Sequence, residues 1–335
     1  MTELRTARER NISQTISDAI AIEMERDERI VVLGEDVGRL GGVFGTTRGL
    51  QQRYGDKRVR DTPISELGFT GMGVGLALAG YRPLVELMFV DFIGVNLEQV
   101  YNAMAKNHYM SGGTVRMPMV LKTAGGCIGS AAQHSQTLWG LFAHLPGMRV
   151  VVPSCPYNAK GLMAAALESD DPVVYIEHKG LLLLRGADFA HGREVPDERY
   201  TVPIGRAAVV REGADVTIAT LGASVRDSLL AAGTLAGEGV DVEVIDLQSV
   251  VPLDADAVAE SAARTRRLLV VDEDYMSFGL SAELVVRVLD RVGLGGLDRY
   301  ARHALPDVPI PAAVTLERAV VPNAESIAAA VRGLA

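Results

Sequence analysis

The chain has 335 residues, 48% hydrophobic and 22% charged, enough to bury the cores of two domains and too apolar for a disordered protein. A net charge of -9 leaves no general basic face for phosphates, which excludes nucleic acid as a partner, and two cysteines without paired-motif spacing exclude a disulfide framework or a zinc site. The charged opening "MTELRTARERNISQ" lacks a signal peptide's apolar core, and Arg82 and Glu86 interrupt the most apolar window (71 to 90), so we expect a soluble, cytoplasmic protein with no membrane span.

Ile12, Ile16, Ile20 and Met24 recur four apart and predict an amphipathic helix over 12 to 27. The buried strand "RIVVLG" follows, then the glycine-bearing loop "GEDVGRLGGVFG". A helix over 67 to 80, the strand "PLVELMF", a helix over 91 to 109 and the strand "PMVLKTA" come next. A glycine-rich loop runs to about 138, ahead of the strand "MRVVVPS", a helix over 156 to 169 and the strand "DPVVYIE". Residues 180 to 205 break the rhythm with Pro196, Pro203 and many charges. A second alternation of strands ("ADVTIATLG", "VDVEVIDLQ", "RRLLVVDED") with helices over 223 to 238, 254 to 263 and 279 to 291 then begins. Such alternation predicts two α/β domains, each a mainly parallel sheet between helix layers. The acidic "VVDED" reads either as a solvated charge run or as a contact for a basic partner.

Two constellations stand out. In "ISELGFTGMGVGLALAG" (64 to 80), Gly71, Gly75 and Ala79 share one helix face, and small residues there admit another backbone closely enough to offset the helix cost of glycine. The spacing fits either tight packing on the chain's own sheet or a subunit interface. Glu66 heads this helix, where a carboxylate meets the macrodipole favourably; a carboxylate beside a dry interface would instead have its pKa raised and be poised for proton transfer. In "GGCIGSAAQHSQTLWGLFAHLPG" (125 to 147), His134 stands among Gln133, Ser135 and Gln136, a pattern that suits either proton delivery or an ordinary surface loop. His144, before "LPG", reads as structural. There is no P-loop, G-x-G-x-x-G, G-x-S-x-G or H-E-x-x-H.

The ordered segments "GEDVG", "GGVF", "RVRDTPISELGFTGMGVGLALAGYRPLVELMFVDF", "AKNHYMSGG", "AAQHSQ", "FAHLPGMRVVVPSCPYNAKGLM", "DPVVYIEHK", "DLQSVVPLD" and "RLLVVDED" span roughly residues 30 to 275, with "PDVPIPAAVTLERAVVP" beyond them. In these the chain resembles the β subunit of the heterotetrameric, thiamine-diphosphate-dependent E1 component of 2-oxo acid dehydrogenase complexes, a group that includes the pyruvate, branched-chain and acetoin dehydrogenases. The resemblance implies a transketolase-like pyrimidine-binding domain over residues 1–190, a linker over 191–205 and a transketolase C-terminal domain over 206–335.

By that resemblance Glu66 hydrogen-bonds the aminopyrimidine of thiamine diphosphate, Ile64, Met88 and Phe92 line the ring, and His134 serves acid–base steps near the substrate or a lipoyl sulfur. It also implies decarboxylation of a 2-oxo acid and reductive acylation of a lipoyl-bearing E2 acyltransferase, or cleavage of acetoin in that branch. No G-D-G motif is present, so the resemblance implies an α2β2 heterotetramer in which an α subunit holds magnesium and the diphosphate. Some members bind potassium through backbone carbonyls where this chain has Ala166, Ser169 and Asp171; Ser169 replaces their aspartate. Lys122 and Asn158 also depart from common usage. A pyruvate-type or branched-chain E1 leads; an acetoin dehydrogenase β subunit, a non-catalytic scaffold and a self-sufficient transketolase-like enzyme are the alternatives.

Overall fold

The computed structural model describes residues 10–189, 191 and 194–334. The first nine residues of the charged opening, and residues 190, 192 and 193 around the expected domain boundary, lie outside them. The chain divides into two compact units, one comprising the residues up to Gly125 and Leu141–Ile204, the other Gly126–Gly140 and the residues from Gly205 onward.

The first unit opens with α1 (Ile12–Arg26). Its capping box is complete, because Asn11 Oδ1 accepts from the Gln14 N–H at 2.9 Å while Gln14 Oε1 accepts from the Asn11 N–H at 3.1 Å. Ile12, Ile16, Ile20 and Met24 form its buried stripe, as the spacing predicts. Then come β1 (Ile30–Gly34), α2 (Leu50–Tyr54), β2 (Val59–Asp61), α3 (Glu66–Leu78) and β3 (Arg82–Leu87). The single helix expected over 91 to 109 is instead a composite. A 3-10 turn (Val90–Phe92) leads into α4 (Ile93–Glu98), a π segment (Gln99–Met104) and α5 (Ala105–Met110). The Asn96 amide donates to Thr70 Oγ1 of α3 at 2.8 Å, tying the two helices at a fixed register. Strand β4 (Val120–Gly125), helix α6 (Trp139–Ala143), β5 (Arg149–Val151), α7 (Pro156–Glu168) and β6 (Val173–His178) follow.

Within this unit the strands lie in the order β5-β6-β4-β3-β1-β2, every neighbouring pair parallel. Val32, Leu84, Val120 and Val173 fall in register across four strands, and all are buried. Fully buried strands read as unbroken apolar runs, yet this sheet contains charge. Glu86 pairs with Lys122 in register, and Lys122 Nζ lies 3.0 Å from carboxylate oxygens of both Glu86 and Glu177. Burial first, and then the charge of Glu86, push Glu177 up to about 7, against the pull of Lys122. The unusual Lys122 thus has a partner on each neighbouring strand. The unusual Asn158 caps α7, its Oδ1 accepting from the N–H groups of Ser154 (3.0 Å) and Cys155 (2.9 Å).

The second unit contains β7 (Ala208–Arg211), β8 (Val216–Thr220), α8 (Ala223–Ala236), β9 (Val242–Asp246), the short β10 (Ser249–Val251) and α9 (Ala255–Thr265). It continues with β11 (Arg267–Tyr275), α10 (Leu280–Val292), β12 (Arg299–Leu305), α11 (Val314–Val320) and α12 (Ala324–Arg332). The sheet order is β12-β11-β8-β9-β7, parallel except for the β7–β9 edge pair. Val216, Ile218, Val244 and Leu269 pack with Ile327 and Val331 in its core. Both units are α/β domains, and no described helix is long and apolar enough to cross a membrane.

Candidate functional site

Parallel sheets gather ligands at the carboxyl ends of their strands. Glu35 follows β1, the segment carrying Ile64 and Glu66 follows β2, and Met88 and Phe92 follow β3. Strand register ties these ends together, since Gly34 pairs with Asp61 on one side and with Glu86 on the other.

Glu66 is the first residue of α3 and is half-buried. Ile64, two residues before it, is 83% exposed, and Leu67 is exposed beside it. Ile64 and Leu67 thus place exposed apolar surface on both sides of the Glu66 carboxylate in the sequence. Met88 and Phe92 are half-buried. Phe92 packs edge-to-face on Phe89 with centroids 5.4 Å apart, and Phe89 packs on Phe44 at 5.7 Å. Lys179 Nζ lies 5.2 Å from the Phe89 ring centre. Phe44 comes from "GGVF", a motif whose chemical part the sequence did not disclose.

Glu35, in "GEDVG", is a second carboxylate at this edge. Its pKa is raised by burial first, then by the charges of Glu66 and Asp36, and a hydrogen bond from the Ser65 backbone opposes the rise. Its Oε1 is buried without a hydrogen-bond partner among the described residues. The sequence did not single it out; its position just after a strand end is the signal that could have found it. The charge of Glu66 is thus one of the causes that raise Glu35. Carboxyl groups beside the apolar side chains of Ile64, Met88 and Phe92 are a lining of the kind that can hold a basic heterocycle.

The two faces of α3 differ. Phe69, Thr70, Gly73, Val74 and Ala77 are buried, and a Cβ added at Gly73 would come 2.5 Å from Val85 Cγ2 on β3. The Gly71, Gly75 and Ala79 face points elsewhere. Gly75 and Ala79 are exposed, and a Cβ at Gly75 would meet nothing within 4 Å. Packing on the chain's own sheet is done by Gly73; Gly71 is half-buried, a Cβ there coming 3.2 Å from the Gln99 side chain, and Gly75 and Ala79 are the exposed part of the stripe.

His134 belongs to the second unit, in the loop Gly126–Gly140. It is half-buried, and its backbone N–H donates to the Ala131 carbonyl at 3.4 Å. Gly126 N–H donates to the Gln136 carbonyl at 2.9 Å, closing the loop's base. His144 is exposed on α6's C-terminal flank. The "VVDED" acids are neither solvated nor presented to a partner: Asp272, Glu273 and Asp274 are all buried.

At the C-terminus of α7, the Ala166 carbonyl accepts from the Ser169 N–H (3.2 Å), the Ser169 carbonyl from Arg82 Nη2 (2.5 Å) and the Asp171 carbonyl from Ser169 Oγ (2.9 Å). Arg82 also donates to the Leu167 carbonyl at 2.9 Å. A fixed guanidinium thus satisfies the carbonyl end of this helix. No cluster of three or more metal-ligating side chains occurs among the described residues.

Residues 8–183 match the family described as "Transketolase, pyrimidine binding domain", and residues 205–327 that described as "Transketolase, C-terminal domain". The chain is 42% identical to the protein named "Acetoin:2,6-dichlorophenolindophenol oxidoreductase subunit beta" of Cupriavidus necator, covering 97% of each. It is also 42% identical to "Pyruvate dehydrogenase E1 component subunit beta" of Bacillus subtilis, over 89% of this chain and 90% of that one. A solved structure titled "Split gene transketolase, inactive beta4 tetramer" superposes with a TM-score of 0.77 over 97% of both chains at 22% identity, a likeness of fold.

Proposed function

This chain belongs to the transketolase-like family of dehydrogenase E1 β subunits, and on that premise we propose that it supplies the pyrimidine half of a thiamine-diphosphate site in a pyruvate-type 2-oxo acid dehydrogenase. The relatives it matches are named as β subunits, which supports an α partner in an α2β2 assembly. The α subunit would hold the diphosphate and its magnesium, and a lipoyl-bearing E2 would accept the acyl group. Residues 1–190 serve as the pyrimidine-binding domain, 191–205 as the linker and 206–335 as the C-terminal domain, in a cytoplasmic enzyme. Potassium near Ala166, Ser169 and Asp171 is not required by this reading, since Arg82 already brings a positive charge to the Ser169 carbonyl.

The observation that carries the proposal is the placement of Glu66: half-buried at the head of α3, close enough to Glu35 to raise its pKa, beside the exposed Ile64. The bound cofactor supplies the electron sink that takes the charge left on carbon when carbon dioxide departs. Glu66 holds the proton at the aminopyrimidine ring nitrogen. Glu35, whose pKa is raised by burial and then by the charge of Glu66, is the neighbouring acid that feels that carboxylate. Ile64, Met88 and Phe92 orient the ring by apolar contact and exclude water from its faces. His134 moves a proton at the substrate oxygen or the lipoyl sulfur.

The test is Glu66→Gln in the complex reconstituted with its α subunit. Turnover of pyruvate should fall by about a hundredfold or more while the complex co-purifies intact, the scale for removing a positioned acid–base group. Unchanged turnover would support a scaffold role instead. A second reading, cleavage of acetoin, is favoured by the 42% identity over 97% of the chain to the acetoin-named relative. The same preparation assayed with acetoin, pyruvate and branched-chain 2-oxo acids ranks the substrates.

A further inference from the structure

We propose that Glu273, Asp272, Asp274 and Glu317 are positioning residues that hold the His134 loop in its working shape. The inference deepens the reading given above and rests on His134 acting there. All the contacts lie within the second unit. Glu273 Oε1 accepts from the Cys127 N–H at 2.8 Å, and the Glu273 carbonyl accepts from Thr137 Oγ1 at 2.9 Å. Asp272 Oδ1 accepts from Trp139 Nε1 at 2.9 Å, and Asp274 Oδ2 accepts from the Gly140 N–H at 3.0 Å. Both oxygens of Glu317, on α11, lie 2.9 Å from the Gly129 N–H. His134 is therefore bracketed by anchors at 127, 129, 137, 139 and 140.

The strand is built for this task. Consecutive strand residues face opposite sides, and β11 is buried on both, from Leu268 to Asp274, so the three acids reach different buried groups from one short run. A β-bulge adds to this: in the β11–β12 pairing the register shifts between Asp272 and Tyr275, whose partners Ala304 and Leu305 are adjacent. Bulges re-aim side chains in this way. The loop itself is strained. Ala131 and Leu138 have φ of +60° and +50°, a region non-glycine residues seldom enter. Such conformations persist where the surroundings over-determine them, and Leu138 lies between the Thr137 and Trp139 anchors.

The experiment uses the full chain reconstituted with its α subunit, pyruvate or acetoin as substrate and 2,6-dichlorophenolindophenol as acceptor. Glu317→Ala should lower kcat about ten- to a hundredfold with KM little changed, as expected when a catalytic group is displaced and substrate binding is left intact. Glu317→Gln, which keeps an acceptor for Gly129, should restore most of it. In a His134→Ala background Glu317→Ala should cost nothing more, because its effect acts through the histidine. Equal loss in both backgrounds, or no loss in either, overturns the proposal. Hydrogen exchange is read in parallel. Glu317→Ala should speed exchange over residues 126–140 about tenfold or more and leave the β8 core unchanged. Unchanged exchange in the loop overturns the clamp whatever the activity. If His134→Ala alone leaves turnover intact, the catalytic reading of His134 fails while the exchange result still decides whether the clamp exists.

Discussion

Lys122 is 1% exposed, and both acids beside it are buried as well. A buried charge is tolerated only when paired, and removing one partner strands the others at a cost of about 3–5 kcal/mol. Lys122→Met should therefore lower the unfolding free energy by about that amount, measured by urea denaturation near pH 8. The loss should shrink at pH 5. Glu177 is already pushed up to about 7 with Lys122 present, so without the ammonium it protonates more readily still and sheds its charge as the pH falls. A loss independent of pH would mean that lost packing, not stranded charge, sets the cost. Nothing in the spacing of "PMVLKTA" disclosed this arrangement, because its partners come from strands 36 and 55 residues away in sequence.

At the scale of elements, α3 shows what periodicity carries and what it does not. The repeat of small residues marks a face for close approach, but Gly73 and Gly71 sit on different faces, and only packing tells them apart. Gly75→Ala meets no atom within 4 Å. It should raise the stability of the isolated chain by up to about 1 kcal/mol, the helix cost of glycine. It should weaken co-purification with the α subunit if that subunit's backbone lies on this face. Higher stability with undiminished assembly would remove the stripe from the interface. Gly73→Ala should instead destabilise the chain alone, since its Cβ would lie 2.5 Å from Val85 Cγ2. Periodicity also gave α1, α7 and the central strands nearly to the residue. It overran at 91 to 109, where the turn type changes three times although the apolar pattern continues. The short edge elements α2, β2 and β7 carry too few periodic residues to announce themselves, and β12, seven residues long, reads "RYARHAL" without an apolar run.

Across the whole molecule, local signals and long-range contacts divide the work. Glu66 and His134 stood out because each is a charged or titratable residue in a setting rich in glycine. Glu35, Glu273 and Glu317 did not, since their meaning lies in what they touch. The same division governs the pH dependence of stability. Burial, and then the charge of Asp274, push Asp272 up to about 7 from 3.8, and Glu177 reaches about 7 from 4.5. A carboxyl with a raised folded pKa binds its proton more tightly in the native state. The stability it contributes is complete below the unfolded pKa and is lost as pH rises through the folded one. His191, pushed down to about 4 by burial, and His303, also lowered, act in the opposite sense, losing stability as pH falls below the ordinary histidine value of 6.5. The two pairs offset each other between about pH 4 and 6.5, so the overall profile hides them both. The difference between the parent and Asp272→Asn does not. The amide keeps an acceptor for Trp139 and Asp274 but cannot ionise, so its cost toward the Ser281 N–H is constant with pH. Relative to this variant, the parent should lose about 1.4 kcal/mol of unfolding free energy per pH unit from about pH 4 to 7, and no more above it. Urea midpoints of both proteins at pH 5, 6, 7 and 8 measure that difference. A difference that is flat from pH 5 to 7 would show Asp272 to be ionised throughout, and the His134 loop to be anchored by a charged carboxylate at every physiological pH.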